Sequence, residues 1–209
     1  MRVTRMKTNF KQNDDFKQNI KGDDILKISQ AHSIQGVSKD REENDFYPTP
    51  PNAVHELLKR EKFEGLTWEC ACGDGAISKI LKEYGLEVYS SDLIDRGYGD
   101  VDIDFLSTYK KVDNIITNPP YKYATEFVQH ALTQANKKVA MLLKIQFLEG
   151  VKRYELFKTT PLKKVYVFSQ RLKIYKNGIQ QKNSTMMCFA WFVWEHGYKG
   201  EPIIDWIKE

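Results

Sequence analysis

Glu69-Cys70-Ala71-Cys72-Gly73-Asp74-Gly75 joins a short apolar segment, Leu66 to Cys70, to an amphipathic one, Ala76 to Tyr84. The first has the length of a buried strand and the second the spacing of a helix, so the stretch reads as a strand-to-helix turn. Small residues at Ala71, Gly73 and Gly75 let the backbone bend sharply and approach a bound molecule without interference from a Cβ. A tight turn that binds nothing would use the same glycines. The choice between the two rests on what lies further along the chain.

Outward from this turn the pattern alternates. Glu87 to Ser91, Val112 to Thr117 and Lys138 to Lys144 read as strands, with helices near Thr125 to Ala135 and Val151 to Lys158. Strands at Lys164 to Phe168 and Met187 to Trp194 lack a helix between them and are expected to pair antiparallel, with Asn177-Gly178 as a turn inside their connection. Strands and helices alternating at these lengths predict an α/β fold, a mostly parallel sheet covered on both faces. Upstream, Asp45-Phe46-Tyr47-Pro48-Thr49-Pro50-Pro51 is an extended, proline-stiffened approach to an amphipathic helix that carries Ala53, Val54, Leu57 and Leu58, and Thr49 or a neighbour can cap it. Residues 1–44 are rich in Lys, Asp, Asn and Gln without a sustained period and read as a charged, loosely ordered arm; residues 45–209 read as one catalytic domain.

The carboxyl edge of such a sheet is where open α/β folds bind ligands. Asp92 closes the second strand nineteen residues after Gly73, a position from which a carboxylate can accept hydrogen bonds from both ribose hydroxyls of an adenosine. That fits a dinucleotide and S-adenosylmethionine equally, although Ser78 stands where a dinucleotide fingerprint has its third glycine. Asp104-Phe105 offers a carboxylate for an adenine amino group and an aromatic beside the ring, or an ordinary loop. Phe46, Tyr47 and Thr49 can close the far side of the pocket, or pack in the core.

Asn118-Pro119-Pro120-Tyr121 follows the third strand directly and so lies on the same edge. The lone pair of an aromatic amino nitrogen is delocalised into its ring, and a catalyst must localise it before the nitrogen can attack a methyl sulfonium. Acceptors aimed at the amino hydrogens do this; the Asn118 side-chain oxygen and the Pro119 carbonyl are suitable. Prolines stiffen the turn and supply no competing N–H, and Tyr121 offers a flat face on which a base can stack. Together the two turns favour S-adenosylmethionine over a dinucleotide.

In this pairing the chain resembles the class I S-adenosylmethionine-dependent amino-methyltransferases, and in order and length it is similar to compact phage and prophage adenine-N6 DNA methyltransferases. The resemblance covers about Asp45 to Trp194 and includes Phe147-Leu148-Glu149-Gly150 and Ala190-Trp191-Phe192-Val193-Trp194. It implies a Rossmann-like, mostly parallel seven-stranded sheet with an antiparallel last strand. It also implies cofactor contacts from Phe46, Tyr47, Pro48, Thr49, Glu69, Ala71, Gly73, Gly75, Asp92, Asp104 and Phe105, with catalysis by Asn118, Pro119, Pro120 and Tyr121. Adenine N6 in DNA is the implied target. An RNA base, cytosine N4 or a protein glutamine amide stay open as alternatives, as does an inactive relative that only binds nucleic acid. Cys70 departs from the proline common in related loops, and only fifteen residues follow Trp194, too few for a separate target-recognition domain.

A net charge of +4 conceals an uneven distribution. From Gly150 to Thr185 nine basic residues face one acid, a balance of +8, which leaves the remainder acidic. Arg171, Lys173, Tyr175, Lys176 and Lys182 form a basic connection with an aromatic among them, suited to phosphates or simply to solvation, whereas Lys152, Arg153, Lys163 and Lys164 read as surface charges. The longest apolar run, Met186 to Trp194, is too short to span a bilayer, and the amino terminus shows no secretory apolar segment. A cytoplasmic protein is expected. Cys70, Cys72 and Cys188 have no disulfide-framework spacing, the four histidines are scattered, and no metal site is expected.

Overall fold

The computed structural model describes residues 46–173 and 188–208. Its strands are β1 (Thr67–Glu69), β2 (Val88–Ser90), β3 (Val112–Thr117), β4 (Ala135–Lys144), β5 (Leu162–Phe168), β6 (Phe189–Glu195) and β7 (Ile203–Ile207). Its helices are α1 (Pro51–Arg60), α2 (Ala76–Glu83), α3 (Ala124–Gln134) and α4 (Val151–Thr159), with single 3-10 turns at Tyr121–Tyr123 and Ile145–Leu148. The strands form one sheet in the order β2-β1-β3-β4-β6-β5-β7. β6 runs antiparallel to both of its neighbours and every other pairing is parallel.

The period of two along β4 and β6 divides the core. Val139, Met141 and Leu143 of β4 and Phe192 and Trp194 of β6 face one way, onto the side covered by Phe127, Val128 and Leu132 of α3 and Leu156 of α4. Ala140, Leu142, Trp191 and Val193 face the other way, onto Val54 and Leu57 of α1 and Ile77, Ile80 and Leu81 of α2. A strand covered on both faces reads as a continuous apolar run, which explains Phe189 to Trp194. The Trp191 indole donates to the Ala53 carbonyl at 2.8 Å and fastens α1 to this strand. Among the described residues no helix is long and apolar enough to cross a membrane.

One expectation needs correction. The antiparallel strand is β6, the penultimate one; β7 follows it and lies parallel to β5 at the sheet edge. Its side chains are largely exposed, so it lacks the apolar alternation that announces a half-buried strand. The amino-terminal cap of α1 is Pro50, the neighbour of Thr49: the Ala53 N–H bonds to the Pro50 carbonyl at 3.0 Å, and among the described residues no side chain caps the helix. The Asn177-Gly178 turn lies outside the described residues.

Candidate active site

β1 and β3 are parallel neighbours, in register at Thr67 with Asn114. The turns that follow them therefore leave the same edge of the sheet on strands about 5 Å apart. This brings the glycine turn and Asn118-Pro119-Pro120-Tyr121 together.

In the glycine turn, Asp92 at the end of β2 accepts from the Gly73 N–H at 2.8 Å and from the Ile94 N–H at 3.0 Å. Each carboxylate oxygen keeps lone pairs, and Asp92 is half-exposed, so it can accept further hydrogen bonds. Gly73 and Gly75 have φ of 55° and 81°, left-handed values that L side chains avoid. Space enforces the same choice: a Cβ on Gly73 would lie 2.3 Å from the Phe46 ring, and one on Gly75 2.5 Å from the Tyr98 ring. The Arg96 guanidinium lies over Phe46 at 4.3 Å, so the segment before α1 and the loop after β2 meet across the turn. Pro48 is half-buried beside Thr49, and Ala71 packs against the core.

Glu69 and Phe105 point inward. Glu69 is 1% exposed; Ser78 donates to its carboxylate and lies 2.6 Å from the Ser90 hydroxyl, tying α2 to β1 and β2 beneath the turn. Burial holds the Glu69 carboxyl well above the ordinary carboxylate range, against the hydrogen bonds from Ser78. Asp104 accepts from the Leu106 N–H at 3.0 Å and its carbonyl from the Thr108 hydroxyl at 2.7 Å, which makes a tight turn. That turn sends Phe105 into the core, 2% exposed, with Trp68, Phe127 and His130 rings at 5.1, 4.9 and 4.8 Å. Phe105 therefore packs in the core beneath this edge.

Asn118 is held from one side. Its amide nitrogen donates to the Tyr47 carbonyl at 3.0 Å and to the Thr49 hydroxyl at 3.1 Å. A carbonyl can only accept, so the nitrogen must face that way and the oxygen, Oδ1, must face the opposite way. Oδ1 is buried and, among the described residues, has no hydrogen-bond partner. An acceptor taken from water and left unmatched costs about 1–3 kcal/mol, a cost repaid when a donor arrives. Thr49 and Tyr47 thus fix the direction in which Asn118 Oδ1 points. Pro119 is buried, Pro120 is exposed, and the Pro120 carbonyl accepts from the Tyr123 N–H at 2.9 Å. The Tyr121 ring lies 5.8 Å from Tyr47 and 5.7 Å from Phe189, with the Lys144 ammonium 4.8 Å from its centroid.

Of the basic residues, Arg171 and Lys173 are exposed just beyond the carboxyl end of β5, on either side of buried Leu172. Tyr175, Lys176 and Lys182 lie outside the described residues. Arg153 is a structural cation, donating to the carbonyls of Phe147 at 2.8 Å and of Glu149, and Lys163 pairs with Glu195 at 2.8 Å. Residues that the motifs did not reveal are Arg96, Tyr98 and Lys144. The available signals were the glycines that flank Tyr98, at 97 and 99, and a lone lysine ending an apolar strand.

No protein-family model matches the chain and no curated protein matches it in sequence. Solved structures do match. A Pyrococcus horikoshii protein assigned as an RNA methyltransferase aligns over 82% of this chain and 97% of its own, with a TM-score of 0.57 at 16% identity. The fold is that of the class I methyltransferases. The modification subunit of a type I restriction enzyme assigned in Vibrio vulnificus aligns over 88% of this chain, with a TM-score of 0.55 at 12% identity; this chain spans 51% of that subunit. A Lactococcus lactis protein assigned as a hemolysin shares the fold too, with a TM-score of 0.53 at 12% identity over 74% of this chain and 91% of its own. At these identities the likeness is one of fold.

Proposed function

We propose that this protein transfers a methyl group from S-adenosylmethionine to the exocyclic N6 amino group of adenine in DNA. The observation that carries the reading is Asn118, whose buried Oδ1 is unmatched while its amide nitrogen is fixed by Tyr47 and Thr49. S-adenosylmethionine, when bound, supplies an electrophilic methyl group on a sulfonium. The residues around the glycine turn fit such a molecule: Asp92 has acceptor capacity for ribose hydroxyls, Asp104 lies near the same edge, and Phe46, Tyr47, Pro48 and Thr49 border the turn. Glu69 acts from beneath by holding the turn in shape, Ala71 and the two glycines keep its surface low, and Phe105 supports it from the core.

Asn118 Oδ1 and the Pro119 carbonyl accept the two amino hydrogens and draw the nitrogen lone pair out of the ring. Pro120 holds the turn, and Tyr121 gives the base a face. A base inside a duplex must be extruded at a cost of roughly a few kcal/mol, which contacts to phosphate offset. Arg171 and Lys173 stand at this edge, and Tyr175, Lys176 and Lys182 follow them in sequence. A fold shared with a restriction-modification subunit accords with DNA as substrate. The fold shared with an RNA methyltransferase along nearly its whole length keeps RNA as the second reading.

Purified protein incubated with labelled S-adenosylmethionine and DNA, then digested to nucleosides, is expected to yield labelled N6-methyladenine. Label in N4-methylcytosine, or in RNA alone, overturns the assignment. In Asn118→Ala methyl transfer should fall by roughly 10²–10³-fold, as when a single aimed polar group is lost, with cofactor binding intact by calorimetry.

A further inference from the structure

Lys144 is the last residue of β4, a strand that is otherwise apolar from Val139 to Leu143. β4 is in register with β3 at Thr117 and Met141, and it runs on to Lys144 beside the turn that holds Asn118. On its other side Lys144 is in register with Phe189, and the Ile145 N–H bonds to the Cys188 carbonyl at 2.9 Å, so the strand end is clamped. Alternation along β4 puts the Lys144 side chain on the face of Ala140 and Leu142, the face where Tyr47 and Tyr121 also pack. Its ammonium ends 4.8 Å from the Tyr121 ring centroid.

This is an unusual place for an ammonium. Among the described residues Lys144 belongs to no ion pair, whereas Lys59, Lys137, Lys138 and Lys163 all have carboxylates. A tyrosine face is a weak partner for a cation, and it is the same surface that a target base would use. A base arriving on Tyr121 displaces the ammonium, which then has a four-carbon stem with which to reach the charge that a nucleotide brings.

We propose that Lys144 is the phosphate-binding residue of the target nucleotide, resting on Tyr121 until a base takes that face and then pairing with the backbone beside it. This rests on the DNA methyltransferase reading and adds to it a residue that couples base entry to backbone contact. A competing role is a partner for the cofactor carboxylate, and the test separates the two.

Binding of a short duplex DNA to the full chain, with S-adenosylhomocysteine present, is measured by fluorescence anisotropy across a range of salt. Losing one phosphate contact makes the plot of log affinity against log salt shallower by about 0.9, so Lys144→Met should show that change. Lys144→Arg should keep the wild-type slope, and so should Lys62→Met, an exposed lysine between α1 and β1. S-adenosylmethionine affinity, by calorimetry, should be the same in all four proteins, and matching thermal melts establish that they are folded. An unchanged slope in Lys144→Met overturns the proposal, as does a loss of cofactor affinity in its place. If the wild-type chain neither binds S-adenosylmethionine nor methylates DNA, the underlying reading fails, and that result appears before any variant is made.

Discussion

At the scale of single residues, the proposed chemistry depends on which way one amide points. Thr49 Oγ1 is one of two acceptors that fix the Asn118 nitrogen. Thr49→Val leaves the Tyr47 carbonyl alone to do so. A hydrogen bond is worth about 0.5–1.5 kcal/mol, so kcat for methyl transfer should drop by up to about tenfold, and Thr49→Ser should restore it. Equal loss in the Ser variant would show that bulk rather than the hydroxyl matters. Glu69 gives a second prediction. Its carboxyl is raised by burial, so the native state holds a proton that the unfolded chain gives up. Stability from this group is full at acid pH and is lost as pH climbs from the unfolded value, about 4.3, towards the higher folded one. Glu69→Gln should flatten the dependence of melting temperature on pH in that window, and curves parallel to wild type in calorimetry would refute it. Residue identity was easier to read than direction. The positions of Asn118 and Asp92 were legible because each follows a parallel strand, whose end lies at the carboxyl edge. Phe105 was not, because sequence cannot show that the Asp104 turn aims the ring inward.

At the scale of elements, the glycine turn and the edge strand behave differently. Gly75 is the amino-terminal cap of α2 and has a left-handed φ of 81°. Gly75→Ala carries about 1–2 kcal/mol of backbone strain and must also push Tyr98 aside, so urea unfolding should show a loss of at least that size. The turn was readable from sequence because glycine spacing and a strand-helix junction say the same thing. β7 was not readable, since its side chains are mostly exposed and only Ile207 is fully buried. Its partner shows its worth: from Lys164 to Phe168, β5 is in register with Ile203 to Ile207. A chain cut after Gly200 leaves that edge of β5 unpaired and is expected to melt lower and to aggregate, as light scattering during a thermal ramp can show. The bond between Asn118 and Thr49 escaped for a related reason: the local pattern of Thr49 suits a helix cap, and Asn118 is sixty-nine residues away.

Across the whole molecule, burial sorts the cysteines. Cys70 and Cys72 are buried and Cys188 is exposed. Burial, with Glu69 and then Asp92 nearby, pushes the Cys72 thiol up to about 12, and burial raises Cys70 as well. Thiolate is the reactive form, so alkylation of native protein near neutral pH should label Cys188 and spare the other two, with all three labelled after unfolding, as peptide mass spectrometry would reveal. The same wholeness has a temporal side. β6 is fully covered from Phe189 to Trp194 and lies between β4 and β5, yet it follows both of them in the chain. On the ribosome, β4 and β5 emerge before β6, the strand that lies between them. The centre of the sheet closes only when the residues near 195 clear the exit tunnel. Until then a nascent chain exposes apolar surface and unpaired strand edges, a state that favours aggregation or chaperone capture. Maturation should therefore depend on how well that surface is shielded until β6 arrives, more than on the cofactor turn.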